Sequence, residues 1–270
     1  MPIRISDFAL WVDGTVSGKA PEFFVGVAID SRRVTPGCLF VALRGDQVDG
    51  HRFIVAALNA GASCALVAED WKSPGLLPVV RVHSPRAALA AAARAYRHTL
   101  RGRVCGITGS AGKTTTKELL AAFLRAGGKT AATEGNLNND LGLPLSLLNA
   151  SSDMDFGVFE CGTNHPGEIA GLVDILRPHV GLVTSIGTAH IEFFKTQDGI
   201  AKEKGVLLAK LPPDGFAVLS RENDRFAMLK SMSAAPVVEV SFKDPSAPFF
   251  GRVIDDQAGV GAATRHLVHH

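Results

Sequence analysis

At 270 residues and 46% hydrophobic content, the chain is long enough for about two domains with real cores. It has no apolar run near the ~20 residues of a membrane span, and its first residues, with Asp7 and Asp13, lack the basic and apolar pattern of a secretory leader. A net charge of +2 argues against a nucleic-acid surface, and four scattered cysteines (Cys38, Cys64, Cys105, Cys161) read as small apolar residues of a reducing cytoplasm, not as a metal site or disulfide frame.

Residues 1–98 read as one α/β unit. Cys38 to Leu43 predicts a strand entered through Pro36-Gly37, and Phe53 to Ala60 a helix stopped at Gly61. Ala65 to Ala68 and Val79 to Val82 predict two more strands. Pro85 to Tyr96 predicts an alanine-rich helix with Ser84 as N-cap and Pro85 in its first turn. The basic residues between Arg94 and Arg103 gather where cations suit a helix C-terminus. Leu100 to Arg103 is the expected linker.

A second α/β unit spans residues 104–270. Its predicted strands are Val104–Thr108, Phe156–Glu160, Val180–Ser185 and Phe216–Leu219. Its predicted helices lie near Thr115–Ala126, Gly167–Leu176 and Gly199–Leu211. This alternation implies a mostly parallel sheet with helices on both faces, whose ligands sit at the carboxyl ends of strands. Thr108, Glu160 and Ser185 are expected there. Further on, Val237–Phe242 and Phe249–Ile254 are candidate strands, and Gly259 to His270 shows no periodicity.

Gly106-Ile-Thr-Gly-Ser-Ala-Gly-Lys-Thr-Thr-Thr116 stands between the first of those strands and a helix. Strand, glycine turn and helix form the setting of a phosphate-binding loop. Backbone amides of Gly109, Ser110, Ala111, Gly112, Lys113, Thr114 and Thr115 would wrap a polyphosphate, assisted by the helix N-terminus. Lys113 supplies a point charge, and the Thr114 hydroxyl can ligate Mg²⁺. The strict pattern wants glycine at Ile107, and the glycine stands one residue earlier, so a glycine turn before an ordinary helix is the alternative.

Four further constellations could carry chemistry, the first two at strand ends. Glu160 ends an apolar strand and can hold Mg²⁺, or else cap a helix; Glu168, in a helix's first turn, suits capping better. His190, in Ile186-Gly-Thr-Ala-His-Ile-Glu192, is either a metal or phosphate contact or a hydrogen-bonded structural residue. Asn136, Asn138 and Asn139 form a polar loop ahead of an apolar helix, where amides that donate and accept suit a crowded phosphate site. Lys204 shares a helix face with Ile200, Leu207, Leu208 and Leu211, whereas Lys202 lies off it. A lysine there either snorkels or is desolvated, with a lowered pKa, and then able to form a carbamate with CO₂.

These segments in this order resemble the Mur ligase family. The resembling stretches are Asp30-Ser-Arg through Arg44-Gly45, Asp49-Gly-His-Arg-Phe53, Gly106–Thr116, Gly135–Leu148, Glu160-Cys-Gly-Thr-Asn-His-Pro-Gly-Glu168 and Gly187–Leu208. The family's phosphate loop has its first glycine at the spacing seen here. The resemblance covers roughly residues 25–225. It implies an N-terminal UDP-substrate-binding α/β domain followed by a central P-loop-type ATP-binding domain with a mostly parallel sheet, incomplete at its C-terminus, with the family's C-terminal Rossmann-like domain absent.

The activity implied is ATP-dependent amide ligation in cytoplasmic peptidoglycan precursor synthesis. The Gly-Asn-x-Asn-Asn and Asn-His-Pro-Gly-Glu segments resemble the member that joins D-alanyl-D-alanine to UDP-N-acetylmuramoyl-tripeptide through an acyl phosphate. Carried over residue by residue, Lys113 and its loop hold ATP. Thr114 and Glu160 hold one Mg²⁺, and His190 and carbamylated Lys204 contact a second. Asn138 joins the catalytic set. Ser31, Asp46 and Gln47 match where the family holds uridine and diphosphate. Two alternatives stay open: a non-catalytic nucleotide-binding paralogue or half of a split ligase completed by a separate chain, and a sibling ligase adding a different amino acid.

Overall fold

The computed structural model describes residues 2–251. Strand β1 (Ile3–Arg4) leads into helix α1 (Ile5–Trp11), followed by strands β2 (Thr15–Ser17), β3 (Phe23–Phe24), β4 (Val27–Ala28) and β5 (Leu39–Val41). Helix α2 (Ile54–Asn59), strands β6 (Cys64–Ala68) and β7 (Val79–Val82) and helix α3 (Pro85–Arg97) come next. The first sheet runs β2-β7-β6-β5-β4, parallel except for β2, while β1 and β3 pair separately as antiparallel strands.

The rest of the chain supplies β8 (Arg103–Thr108), α4 (Lys113–Arg125), β9 (Thr130–Ala132), α5 (Gly142–Leu148), β10 (Phe156–Glu160), α6 (Glu168–Leu176) and β11 (Val180–Val183). Then follow α7 (Ile191–Phe194), α8 (Gln197–Ala209), β12 (Phe216–Ser220), α9 (Phe226–Met232), β13 (Val237–Ser241) and β14 (Phe249–Phe250). They build a second sheet, β14-β13-β12-β11-β8-β10-β9, in which every pairing is parallel. β8 lies between β10 and β11, so the strand order reverses at its carboxyl end and opens a crevice there. Its residues Val104 to Thr108 are all buried, as expected of a strand covered on both faces.

One hydrophobic core runs through both sheets' helices. It extends from Ile3 and Phe8 through Leu89 and Tyr96 of α3 to Leu143, Leu172 and Leu207. α3 forms because Ser84 accepts the Ala87 amide and Pro85 occupies the first turn; its alanine-rich face then lets α5 and α6 approach. Polar staples close the same seam. Tyr96 Oη donates to Ala150 O (2.8 Å), and the Asn149 amide exchanges two bonds with Val27, at 2.9 and 3.0 Å. Buried Arg97 donates to Leu176 O (2.6 Å) and Arg177 O (3.0 Å), the orphan carbonyls at the end of α6.

Several sequence-based boundaries shift. β11 stops at Val183, so Ser185 lies two residues into the loop and does not end the strand. α4 begins at Lys113 because Gly112, at φ 82°, serves as its N-cap. α8 begins at Gln197 under the Thr196 cap and ends at Ala209, which leaves Leu211 buried but outside the helix. The strand expected over 249–254 is seen at Phe249–Phe250; its remainder, and the stretch 259–270, lie outside the described residues.

Candidate active site

The loop between β8 and α4 is held open by its neighbour across the switch point. Ser110 N donates to Ser185 O (2.9 Å) and Ala111 N to Ser185 Oγ (3.0 Å); Thr184 Oγ1 donates to Ala111 O (2.6 Å), and Gly187 N to Ser110 Oγ (2.9 Å). Gly109 is obligatory: its φ is 153°, and a Cβ there would lie 1.9 Å from Thr184 Oγ1. The first α4 amide with a helical acceptor is Thr116 N, bonded to Gly112 O at 3.0 Å. The amides of Gly112, Lys113, Thr114 and Thr115 therefore have no acceptor among the described residues. Four such N–H groups at a helix start make an anion cradle. Lys113 Nζ donates to Gly109 O (2.7 Å); burial lowers its pKa and the Glu160 charge opposes that shift. Thr114 is exposed at the cradle's rim.

Glu160 stands at the carboxyl end of β10, level with Ile107 of β8. Its side chain is 0% exposed. Asn138 Nδ2 donates to Oε2 (3.1 Å), and Oε1 has no hydrogen-bond partner. Glu160 caps no helix, which removes the capping alternative. An anionic oxygen buried without a donor suits a hard cation, so the residues present fit Mg²⁺. No group of three or more His, Cys, Asp or Glu that could hold a metal occurs among the described residues. A cation at Glu160 would thus depend on non-carboxylate oxygens, as Mg²⁺ sites that share phosphate commonly do.

Capping of α6 falls to Glu203 and not, as the sequence suggests, to Glu168, whose carboxylate ties down the loop ahead of the helix. Glu168 Oε2 accepts the amides of Asn164 (2.7 Å) and His165 (3.1 Å) and the Thr163 hydroxyl (3.1 Å). Burial works against its ionised form, yet these bonds hold its carboxyl below the usual range. Glu203 accepts from Gly167 N (2.8 Å) and Ile169 N (2.9 Å). The sequence reading missed Glu203, although it stands three residues after Ile200 and four before Leu207, beside the apolar stripe of α8.

Lys204 is 3% exposed, so it does not snorkel, whereas Lys202 is exposed. Burial pushes the Lys204 ammonium down to about 8; the Lys113 charge adds to that and Glu203 opposes it. Lys204, Lys113 and Glu160 therefore share one electrostatic environment. His190 is exposed at φ 60° and opens α7, which Lys195 closes at φ 66°. Its ring has no partner among the described residues. The sequence reading missed Lys117 of α4, fully buried one turn beyond Lys113 and 3.7 Å from Glu160 Oε1. Its signal was available, since Lys117 and Ala121 share the face that α4 buries.

In the first unit, Asp30 caps the turn Ser31–Arg33, and its bonds from Arg32 hold its carboxyl down to about 2. Ser31 is half-buried in that turn. Asp46 and Gln47 are exposed in a bend closed by the Gly45 N to Val48 O bond (3.0 Å). His51 Nε2 accepts the Ala68 amide (3.0 Å), so Nδ1 carries the proton and donates to Asp49 (2.6 Å). The Asp49-Gly-His element is thus a brace under that bend. Arg33 reaches across to Glu134 (2.9 Å), beside the asparagine loop of the second unit. The Ser31 turn therefore faces the second unit; no hydrogen bond or ion pair among the described residues joins the Asp46-Gln47 bend to it.

Comparison with known proteins follows the same division. The family model for the Mur ligase middle domain matches residues 107–263, and the model for the Mur ligase family catalytic domain matches residues 24–97. The UDP-N-acetylmuramoyl-tripeptide–D-alanyl-D-alanine ligase of Escherichia coli is 42% identical over 198 residues, 73% of this chain and 43% of that protein. A crystal structure of MurF from Acinetobacter baumannii superposes with a TM-score of 0.84 at 29% identity, covering 94% of this chain and 56% of that one. MurF ligase from Thermotoga maritima in complex with ADP gives 0.71 at 32% identity, covering 82% and 51%. The chain spans about half the length of the curated relatives it matches.

Proposed function

The chain belongs to the Mur ligase family, and from that membership we propose that it supplies the precursor-binding and ATP-binding parts of a ligase that adds D-alanyl-D-alanine to UDP-N-acetylmuramoyl-tripeptide in the cytoplasm. Residues 1–98 would bind the UDP-linked precursor and residues 104–270 would bind ATP. The observation that carries this reading is the convergence of four unbonded amides, Lys113 and a buried carboxylate oxygen at one strand-end crevice.

Each residue has a task in this reading. The amides of Gly112 to Thr115 and the Lys113 ammonium hold the phosphates of ATP and offset charge on the phosphoryl group in transfer. The γ-phosphoryl passes to the precursor's terminal carboxylate, and the incoming amine displaces phosphate from the resulting acyl phosphate. Bound Mg²⁺ would neutralise phosphate charge. Thr114 and Glu160 are the residues that would hold one ion, with His190 and a Lys204 carbamate serving a second. Asn138 fixes the Glu160 carboxylate through Oε2. Ser31 and the Asp46-Gln47 bend would take the uridine diphosphate end. Two relatives favour this reading: the E. coli protein, a ligase named for D-alanyl-D-alanine, and the T. maritima ligase, seen in complex with ADP.

Calorimetric titration with Mg-ATP tests it. The 270-residue chain is expected to bind, and Lys113→Ala to bind at least about tenfold more weakly, the scale of a lost charge-assisted contact. Equal binding by both would sink the reading.

A further inference from the structure

Lys117 is a buried cation that the ligation chemistry leaves without a task. It sits on α4 one turn beyond Lys113, and its side chain is 0% exposed, as is that of Glu160. The two charges lie 3.7 Å apart, close enough to interact strongly in a dry setting but too far for a hydrogen bond. The Lys117 donors go elsewhere: to Thr133 O (2.7 Å) and Glu118 Oε1 (2.8 Å). An ordinary buried ion pair would close to a charge-assisted contact near 2.8 Å. Here the ammonium offsets the carboxylate's charge without occupying Oε1.

Thr133 sets this spacing. Its carbonyl anchors Lys117 Nζ, and its hydroxyl accepts the Glu160 amide (2.9 Å). Asn138 holds the other oxygen, Oε2 (3.1 Å). Both tethers leave Oε1 buried without a donor.

We propose that Lys117 is the resident countercharge and positioning residue of Glu160, holding the buried carboxylate in place with Oε1 free until a divalent cation binds there against the ammonium's repulsion. The inference rests on the reading of Glu160 as a cation ligand, and it assigns opposite signs to two effects of removing the ammonium. Metal-free stability falls, because an uncompensated carboxylate is left buried. Cation affinity rises, because the competing charge is gone.

The experiment uses Lys117→Met, Glu160→Gln and the double variant in the 270-residue chain. In chelated buffer, urea unfolding is expected to show Lys117→Met destabilised and Glu160→Gln restoring much of the loss in that background. Strict additivity would overturn the coupling. Where Lys117→Met is too unstable to purify, the double variant carries this arm: it folds under the proposal, and its failure to fold overturns it. Binding of Mn²⁺ alone, followed by its paramagnetic resonance signal, forms the second arm. Lys117→Met is expected to bind about tenfold more tightly than the unmodified chain, the scale of one nearby charge removed from a partly screened site. A purely packing role predicts unchanged or weaker binding, and either result overturns the proposal. Equal Mn²⁺ binding by the unmodified chain and Glu160→Gln would strike the cation reading of Glu160 instead, while the metal-free cycle still decides the coupling.

Discussion

Lys204 shows how one residue turns burial into chemistry. Its ammonium, pushed down to about 8 by burial and by Lys113, is charged at neutral pH in the folded chain only against resistance. In the unfolded chain the same group keeps an ordinary lysine pKa. Between about pH 8 and that ordinary value the unfolded state binds more protons, so stability rises with pH there and the penalty is complete below about 8. Lys204→Met, in CO₂-free buffer, is expected to stabilise at pH 7 by roughly 1–3 kcal/mol, the scale of removing a buried unpaired charge. The advantage should shrink in urea midpoints measured above pH 8. A neutral fraction of this size also makes the amine reactive. With ¹³C-bicarbonate, a carbamate resonance is expected that vanishes in Lys204→Ala; a resonance indifferent to that substitution would remove Lys204 from the set. The apolar face that Lys204 shares with four aliphatic residues was legible, but that face alone left snorkelling open as an alternative to burial. The burial of Lys117 was masked by its place beside the more conspicuous Lys113.

At the scale of elements, the organising fact is where helices begin and end. α4 starts at the switch point with its amides free, and the loop from β11 grips the backbone ahead of it. Gly109→Ala is expected to weaken Mg-ATP binding at least as much as Lys113→Ala by calorimetry, since the new methyl collides with Thr184. Three other helices, α3, α6 and α8, end together on the opposite side. There Arg94, Arg97, His98, Arg177 and Lys210 line one cleft with Asp174 and Asp214. Cations at C-termini answer the exposed carbonyls, which accounts for basic residues that otherwise suggest a nucleic-acid patch. Arg97→Met, which leaves Leu176 O and Arg177 O without their donor, is expected to cost about 1–3 kcal/mol in urea unfolding with ATP binding unchanged. The buried strands β6, β7, β8 and β10 and the capped helix α3 were legible because local pattern and cap chemistry agree. The short strands β1, β3, β4 and β9 were not, because two or three residues carry no periodicity and pair only once the partner strand is in place.

For the whole molecule, the shared core decides behaviour. Because α3 belongs to the first sheet's unit and buries its face against α5 and α6 of the second, the two are expected to unfold in one calorimetric transition. Two separated transitions would contradict this. If the proposed function holds, these 270 residues, about half the length of the matched relatives, are expected to carry out only part of the reaction when taken alone. Placement of the attacking group can contribute on the order of 7–11 kcal/mol, and the proposed reading gives the described loops tasks toward ATP, cation and the UDP-linked precursor but none toward the incoming amine. Slow phosphate release stimulated by UDP-N-acetylmuramoyl-tripeptide, with no amide product by mass spectrometry, is the expected signature; full-rate ligation would place the amine site within this chain.

The seam between the two sheets also works as a calliper. Asn149 clamps Val27, Tyr96 reaches Ala150, and Arg33 meets Glu134. These bonds oppose hinging, so in the proposed reading the span from the Ser31 turn to the anion cradle acts as a gauge. A precursor seated by its nucleotide end would be measured by that gauge. If the proposed function holds, one with too short a peptide is expected to dock with its carboxylate short of the phosphoryl group, and the seam's bonds to oppose the flexing that would make up the gap.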